Sequence, residues 1–153
     1  MTQSYFDPEE VPAPAAWLGY AGLIPFVALA AASWVVTGAG RPWLDNALLT
    51  YGAVILSFMG AVHWGLAMRE HGTVDGRQMV TSVIPPLVAW FAAFAPASIN
   101  YPVLIVAFAL LCLFDGRMAS AGKAPAWYPK LRTPLTAVVV LSLISAQIAG
   151  IVR

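Results

Sequence analysis

Apolar residues run almost without interruption through five stretches of this chain, near residues 15–36, 46–68, 79–97, 101–119 and 134–152, separated by short polar or proline-bearing connections. Each is about long enough to cross a bilayer, because roughly 20 apolar residues at a rise of 1.5 Å per residue cover about 30 Å of hydrocarbon. The runs lack the in-out alternation of membrane barrel strands, so the pattern predicts helices. The expected fold is all-α, a polytopic membrane protein with a bundle of five transmembrane helices. A single domain covers residues 15–153, preceded by an acidic, proline-rich tail at 1–14. The fourth run is cleanly apolar only as far as Phe114, so its helix must continue past Asp115 and Arg117 to complete a crossing.

Composition agrees with lipid as the solvent: 60% of the residues are apolar and 10% are charged. A net charge of +1 gives no electrostatic footprint for nucleic acid. The start of the chain carries Asp7, Glu9 and Glu10 with Pro12 and Pro14, and lacks the basic n-region of a secretory signal, so no cleavage is expected. Basic residues set the orientation. Arg69 and Arg77 follow the second stretch, and Arg117, Lys123, Lys130 and Arg132 lie between the clean run of the fourth stretch and the fifth; only Arg41 and Arg153 belong to the other side. Six against two places the amino terminus in the cytoplasm, or the matrix of a mitochondrion, and the carboxyl terminus in the periplasm or its equivalent.

The second stretch carries the most detail. Ala53, Ser57, Ala61 and Gly65 recur every fourth residue, with Gly52 and Gly60 on the adjacent row, a smooth face that predicts close helix packing. His63 lies roughly 26 Å along this helix from Asn46, and Asp115 roughly 21 Å along the fourth from Tyr101. Both helices run in the same direction, so the two side chains share a depth. Ionisable residues inside a membrane are costly enough to be treated as functional candidates. Such a pair suits a proton, a polar headgroup or a quinone carbonyl. A purely structural reading has His63 bonded to a neighbouring helix and Asp115 capping a loop or pairing with Arg117. Pro85 and Pro86 deprive the carbonyls of Thr81 and Ser82 of helical partners in the same leaflet, adding these two to the ligand-binding candidates. Pro25 interrupts the first stretch in the same way. Trp127, Tyr128, Lys130 and Arg132 suit the headgroup boundary, as do Trp17, Trp34 and Trp43. Trp64 and Trp90 fall further in, where helix packing is expected, and Cys112 is expected as a buried thiol.

No catalytic residue, metal site or cofactor is assigned. His63 and His71 are eight apart, with His71 in the hydrophilic connection 69–78, and neither a phosphate loop nor a nucleophile with its base can be assembled. The words LGYAGLIPF at 18–26, YGAVILSFMGAVHWG at 51–65, PLVAW at 86–90 and WYPKLRTPLT at 127–136 resemble the family of small membrane proteins called domain of unknown function 3429. The resemblance implies a polytopic protein of proteobacterial inner membranes or mitochondria and brings no activity with it. Two functions are compatible with these features. One is a non-enzymatic accessory or assembly subunit of a larger membrane complex, such as a respiratory one, with the bilayer and other membrane subunits as partners. The alternative is a binder or carrier of a lipid, quinone or other small molecule, using a polar pocket near His63.

Overall fold

In the computed structural model, residues 10–68, 76–96 and 98–152 are described, and every regular element among them is helical. Most of the expected tail, residues 1–9, lies outside the described residues, as do Arg69 and His71. The first apolar stretch forms two helices, α1 (Ala13–Ala21) and α2 (Ile24–Ala32), parted at Gly22 and Leu23. Pro25 explains the break: it has no N–H to give to the preceding turn, and it sits in the first turn of α2, where that donor would be unpaired anyway. The phenol of Tyr51 donates to the Gly22 carbonyl at the break, over 2.9 Å.

After a single 3-10 turn at Gly38–Gly40, α3 (Arg41–Ala67) begins with Pro42 in its first turn, earlier than the expected start at residue 46. The third stretch is divided by its proline pair into α4 (Gly76–Ser82) and α5 (Ile84–Phe94). α6 (Asn100–Ser120) carries on past Asp115 and Arg117. The last helix, α7 (Tyr128–Val152), begins well before Pro134 and contains it, so residues 128–133 are helical rather than part of a connecting segment. Among the described residues, four helical lengths are long and apolar enough to cross a membrane: Ala13–Ala32, Gly38–Ala67, Asn100–Ser120 and Tyr128–Val152.

Contacts at the two ends of the bundle fix how the helices run. At one end Arg41, in the first turn of α3, reaches the Ala146 carbonyl near the end of α7, and Tyr101, at the start of α6, reaches Asp45 of α3. At the other end His63 of α3, Asp115 of α6 and Arg132 of α7 meet. α3 and α6 are therefore parallel and α7 is antiparallel to both. The chain must return along the bundle between α3 and α6, and α4 and α5 make that return; their 7 and 11 residues with Val83 between them extend roughly 28 Å at helical rise.

The centre is filled by Phe26, Leu48, Leu56, Leu104, Phe108 and Leu143, all almost fully enclosed. Phe26 meets Tyr51 and Phe108 edge-on, at 5.0 and 6.1 Å between ring centroids. The inward stripe of α3 is Gly52, Leu56, Gly60, His63 and Ala67, recurring at three- and four-residue steps. This corrects the expected seam. Gly52 and Gly60 lie on it, Ala53 and Ser57 flank it, and Ala61 and Gly65 turn to the outside. Gly65 has open space where a side chain would project. Trp64 and Trp90 also point outward, because hydrocarbon outside the bundle solvates an apolar ring as well as a helix neighbour does.

Gly60 is the point of closest approach. A Cβ there would lie 2.6 Å from the Ser82 carbonyl oxygen and 2.9 Å from Pro86 Cδ, neither of which is the end of a flexible side chain. The irregular backbone made by the proline pair is thus accommodated by a glycine opposite. Gly60→Ala is expected to lower stability in mild detergent by about 1–3 kcal/mol, the usual cost of overpacking, whereas Ala61→Leu stays within about 0.5 kcal/mol. Thermal unfolding followed by circular dichroism checks this, and equal losses at both positions would return the seam to the Ala61 row.

Candidate functional site

Asp115 sits late in α6 and is shared by two cationic or donor groups from different helices. His63 Nε2 lies 2.7 Å from one carboxylate oxygen, and Arg132 Nε donates to the other over 2.7 Å. The arginine contact is well aligned. The histidine contact is close but off the line of a good hydrogen bond, which leaves Nε2 and Oδ1 without an aligned partner among the described residues. Exposures of 1% for His63, 1% for Asp115 and 5% for Arg132 place the cluster inside the bundle. The Phe114 ring meets the imidazole edge-on at 5.1 Å, and Gln78 Nε2 approaches the His63 carbonyl at 3.5 Å from α4.

Arg132 also belongs to a second arrangement. Tyr128, Arg132 and Thr136 are four residues apart on α7, so their side chains follow one another along one face. All three line a cavity of about 380 Å³ bounded by α1 and α2, α3 and α7. The remaining wall is apolar, including Leu18, Phe26, Ile55, Met59, Leu135 and Val139. Gly19 allows α1 to approach α7 closely there, since a Cβ would come within 2.9 Å of Leu135. Tyr128 Oη, Arg132 Nη2 and Thr136 Oγ1 are buried and have no hydrogen-bond partner among the described residues. A buried polar atom left unpaired costs about 1–3 kcal/mol, and all three of these atoms are enclosed behind the cavity surface rather than open to it.

The structure thus brings His63 and Asp115 together and adds Arg132, which the sequence reading placed at the headgroup boundary. Tyr128, expected there too, is buried, while Trp127 is half-buried and Lys130 exposed. Asp115 pairs with Arg132 and not with Arg117, whose side chain is exposed. Thr81 and Ser82 are not part of this cavity. Their hydroxyls donate back to the Gln78 and Met79 carbonyls, at 2.9 and 2.6 Å, and Thr81 lines a separate, wider groove of about 840 Å³ between α5 and α6. Cys112 is half-buried. Sequence reasoning missed the role of Arg132 because residues 128–133 were read as a connection; the four-residue repeat Tyr128, Arg132, Thr136 was the available signal.

The opposite end of the bundle holds a second polar cluster that sequence reasoning did not single out. Arg41 grips both oxygens of Asp45, at 3.0 and 2.9 Å, and donates to the Ser33 and Ala146 carbonyls at 2.9 and 3.1 Å. Tyr101 Oη adds a contact of 3.2 Å to Asp45. The four-residue spacing of Arg41 and Asp45 marks such a pair once both are placed on one helix.

A family model described as protein of unknown function (DUF3429) matches residues 11–148. The chain belongs to that family. It is 37% identical to Transmembrane protein 69 of Xenopus tropicalis over 142 residues, 92% of this chain and 56% of the relative. Against Transmembrane protein 69 of Mus musculus it is 28% identical over 135 residues, 87% of this chain and 55% of the relative. The chain therefore spans about half the length of these curated relatives. No solved structure matches it. Membership of a family with transmembrane relatives, together with the long apolar helices, makes this a membrane protein in contact with lipid.

Removing one member of the buried pair strands the other charge. Arg132→Met is expected to destabilise the bundle by about 3–5 kcal/mol, and the joint replacement Asp115→Leu with Arg132→Met by much less, because no charge is then left uncompensated. Unfolding of the two variants in the same detergent measures the difference; a double variant weaker than the single one would mean that the pair itself is a net source of stability.

Proposed function

We propose that this protein binds an amphiphilic small molecule of the bilayer, a lipid or a quinone, with the apolar part in the cavity between α1, α2, α3 and α7. The polar end lies against Tyr128, Arg132 and Thr136. The supporting observation is an apolar cavity of about 380 Å³, within the usual size range of ligand pockets, with the unpaired polar atoms of Tyr128, Arg132 and Thr136 enclosed just behind its wall, where a small side-chain movement would bring them to a ligand. His63 and Asp115 act behind that wall: the carboxylate holds the Arg132 guanidinium in place from the side away from the cavity. α1, which contributes no buried residue of its own but lines the cavity through Ala15, Leu18 and Gly19, is the side by which a ligand would enter from the bilayer.

The proposed setting is the bacterial inner membrane with five crossings, the amino terminus cytoplasmic and the carboxyl terminus periplasmic. Support comes from the parallel run of α3 and α6, between which α4 and α5 carry the chain back along the bundle, and from the basic residues gathered at one end. A single domain from about residue 15 to 153 contains all five. Reporters placed after Arg153 and near Gly122 are expected to behave as periplasmic and cytoplasmic respectively. Both on one side would remove the last crossing.

Native mass spectrometry after gentle extraction tests the binding function. A small molecule retained at one copy per chain is expected, with retention reduced at least tenfold in Ile55→Phe, which fills the cavity. The accessory-subunit reading has one observation in its favour, the outward strip at Ala61 and Gly65 where a second helix can approach closely. Stoichiometric protein partners with no small molecule would favour it over the cavity reading.

A further inference from the structure

We propose that the groove between α5 and α6 holds an anionic phospholipid, its phosphate on Arg117 and an acyl chain along the groove. This site shares no lining residue with the cavity described above and does not rest on it. The groove, about 840 Å³, is walled by Ile84, Val88, Val103, Val106, Leu110 and Leu113, most of them exposed, so it opens to the surrounding hydrocarbon. Among the described residues of its lining, Arg117 alone is charged. It lies in the last turn of α6, two positions beyond Asp115, at the end of the bundle opposite Tyr101. Its side chain is exposed, and among the described residues no carboxylate holds it, since Asp115 is turned inward and engaged by Arg132. A guanidinium there meets the headgroup level, and its planar fork matches two phosphate oxygens. Basic residues at the mouth of a crevice between membrane helices suit anionic head groups in this way.

Length agrees with an acyl chain. The α6 side of the lining runs from Pro102 to Arg117, roughly 22 Å at helical rise. One leaflet supplies about 15 Å, half of a 30 Å core, so a chain anchored at Arg117 stays against the groove throughout its depth. The side chains also favour a lipid over a second helix. Helices associate in hydrocarbon through small residues that let backbones approach and through polar groups that bond across the contact. Among the described lining residues the only alanine is Ala107 and there is no glycine or serine; the one uncharged polar residue, Thr81, already gives its hydroxyl proton to the Gln78 carbonyl. Branched side chains keep a helix backbone at a distance, while a flexible chain of methylenes follows the crevices between them.

The test titrates the full chain, delipidated in mild detergent, with dioleoyl phosphatidylglycerol and dioleoyl phosphatidylcholine, and counts bound lipid by native mass spectrometry. Phosphatidylglycerol is expected to bind at least fivefold more tightly than phosphatidylcholine. Arg117→Gln should bring the two to within twofold of each other, while Lys123→Gln, which removes a cation at the same end but outside the groove, should keep the preference. Val106→Trp, on the exposed wall, should weaken phosphatidylglycerol at least threefold. Ile55→Phe, which fills the separate cavity, should leave the preference intact, so failure of either site is read independently of the other. Equal binding of the two lipids by the wild-type chain would overturn the proposal. So would equal losses in Arg117→Gln and Lys123→Gln, the mark of diffuse attraction to a basic surface. A chain that dimerises through this face, with dimers lost in Val106→Trp and no lipid preference, would assign the groove to a helix instead.

Discussion

A carboxylate in a bundle surrounded by hydrocarbon has no water to fall back on, and the Asp115 side chain meets that constraint by being shared between α3 and α7. The contact costs desolvation of three polar groups, which is why its value lies in specification more than in net stability. With Asp115 on α6, only one relative rotation and one axial register of the three helices satisfies it. α3 and α6 must be parallel, and from that follows the need for a returning segment between them. The proline-broken pair α4 and α5 supplies the return, and Gly60 lets it approach. The Asp115 contact also fixes the rotation of α7 that turns Arg132 inward, with Tyr128 and Thr136 on the same face.

The outer surface obeys a different rule from that of a water-soluble domain. Trp17, Val35, Phe94 and Ile151 are among the most exposed side chains, and Ala61 and Gly65, half of the most regular row of small residues on α3, face out with them. In water such a surface would drive association; in a bilayer it has no such effect, and packing quality and polar contacts decide which faces meet. Regular spacing of small residues therefore identifies a face capable of close approach without identifying the face that makes it. Burial on α3 went to the row containing His63.

That distinction explains what the sequence made legible. Helix positions followed from hydropathy, and the depth match of His63 and Asp115 followed from helical rise, because both lie on long uninterrupted helices. Arg132 was hidden by Pro134: a proline reads naturally as the first turn of a helix, yet here it lies inside α7, and only the earlier start at Tyr128 carries Arg132 to the inner face. Arg41 was counted for orientation alone, since the apolar pattern begins after Asp45 and concealed the first turn of α3. The cavity depends on how α1 leans against α7 through Gly19, a tertiary fact with no periodic signature.

The two ion clusters also fix a length. Asp45 and His63 stand at opposite ends of α3, roughly 27 Å apart at helical rise, and each is tied to α6 and to α7 either directly or through Arg41 and Asp115. Three helices pinned at both ends cannot slide past one another, so the apolar band between the pins is a rigid gauge slightly shorter than a typical hydrocarbon core. A thicker membrane can be met by local thinning of the lipid around the protein, while lengthening of the bundle is barred. Mismatch with the surrounding bilayer is then borne by the lipid and by the helix ends beyond the pins, not by the core of the bundle.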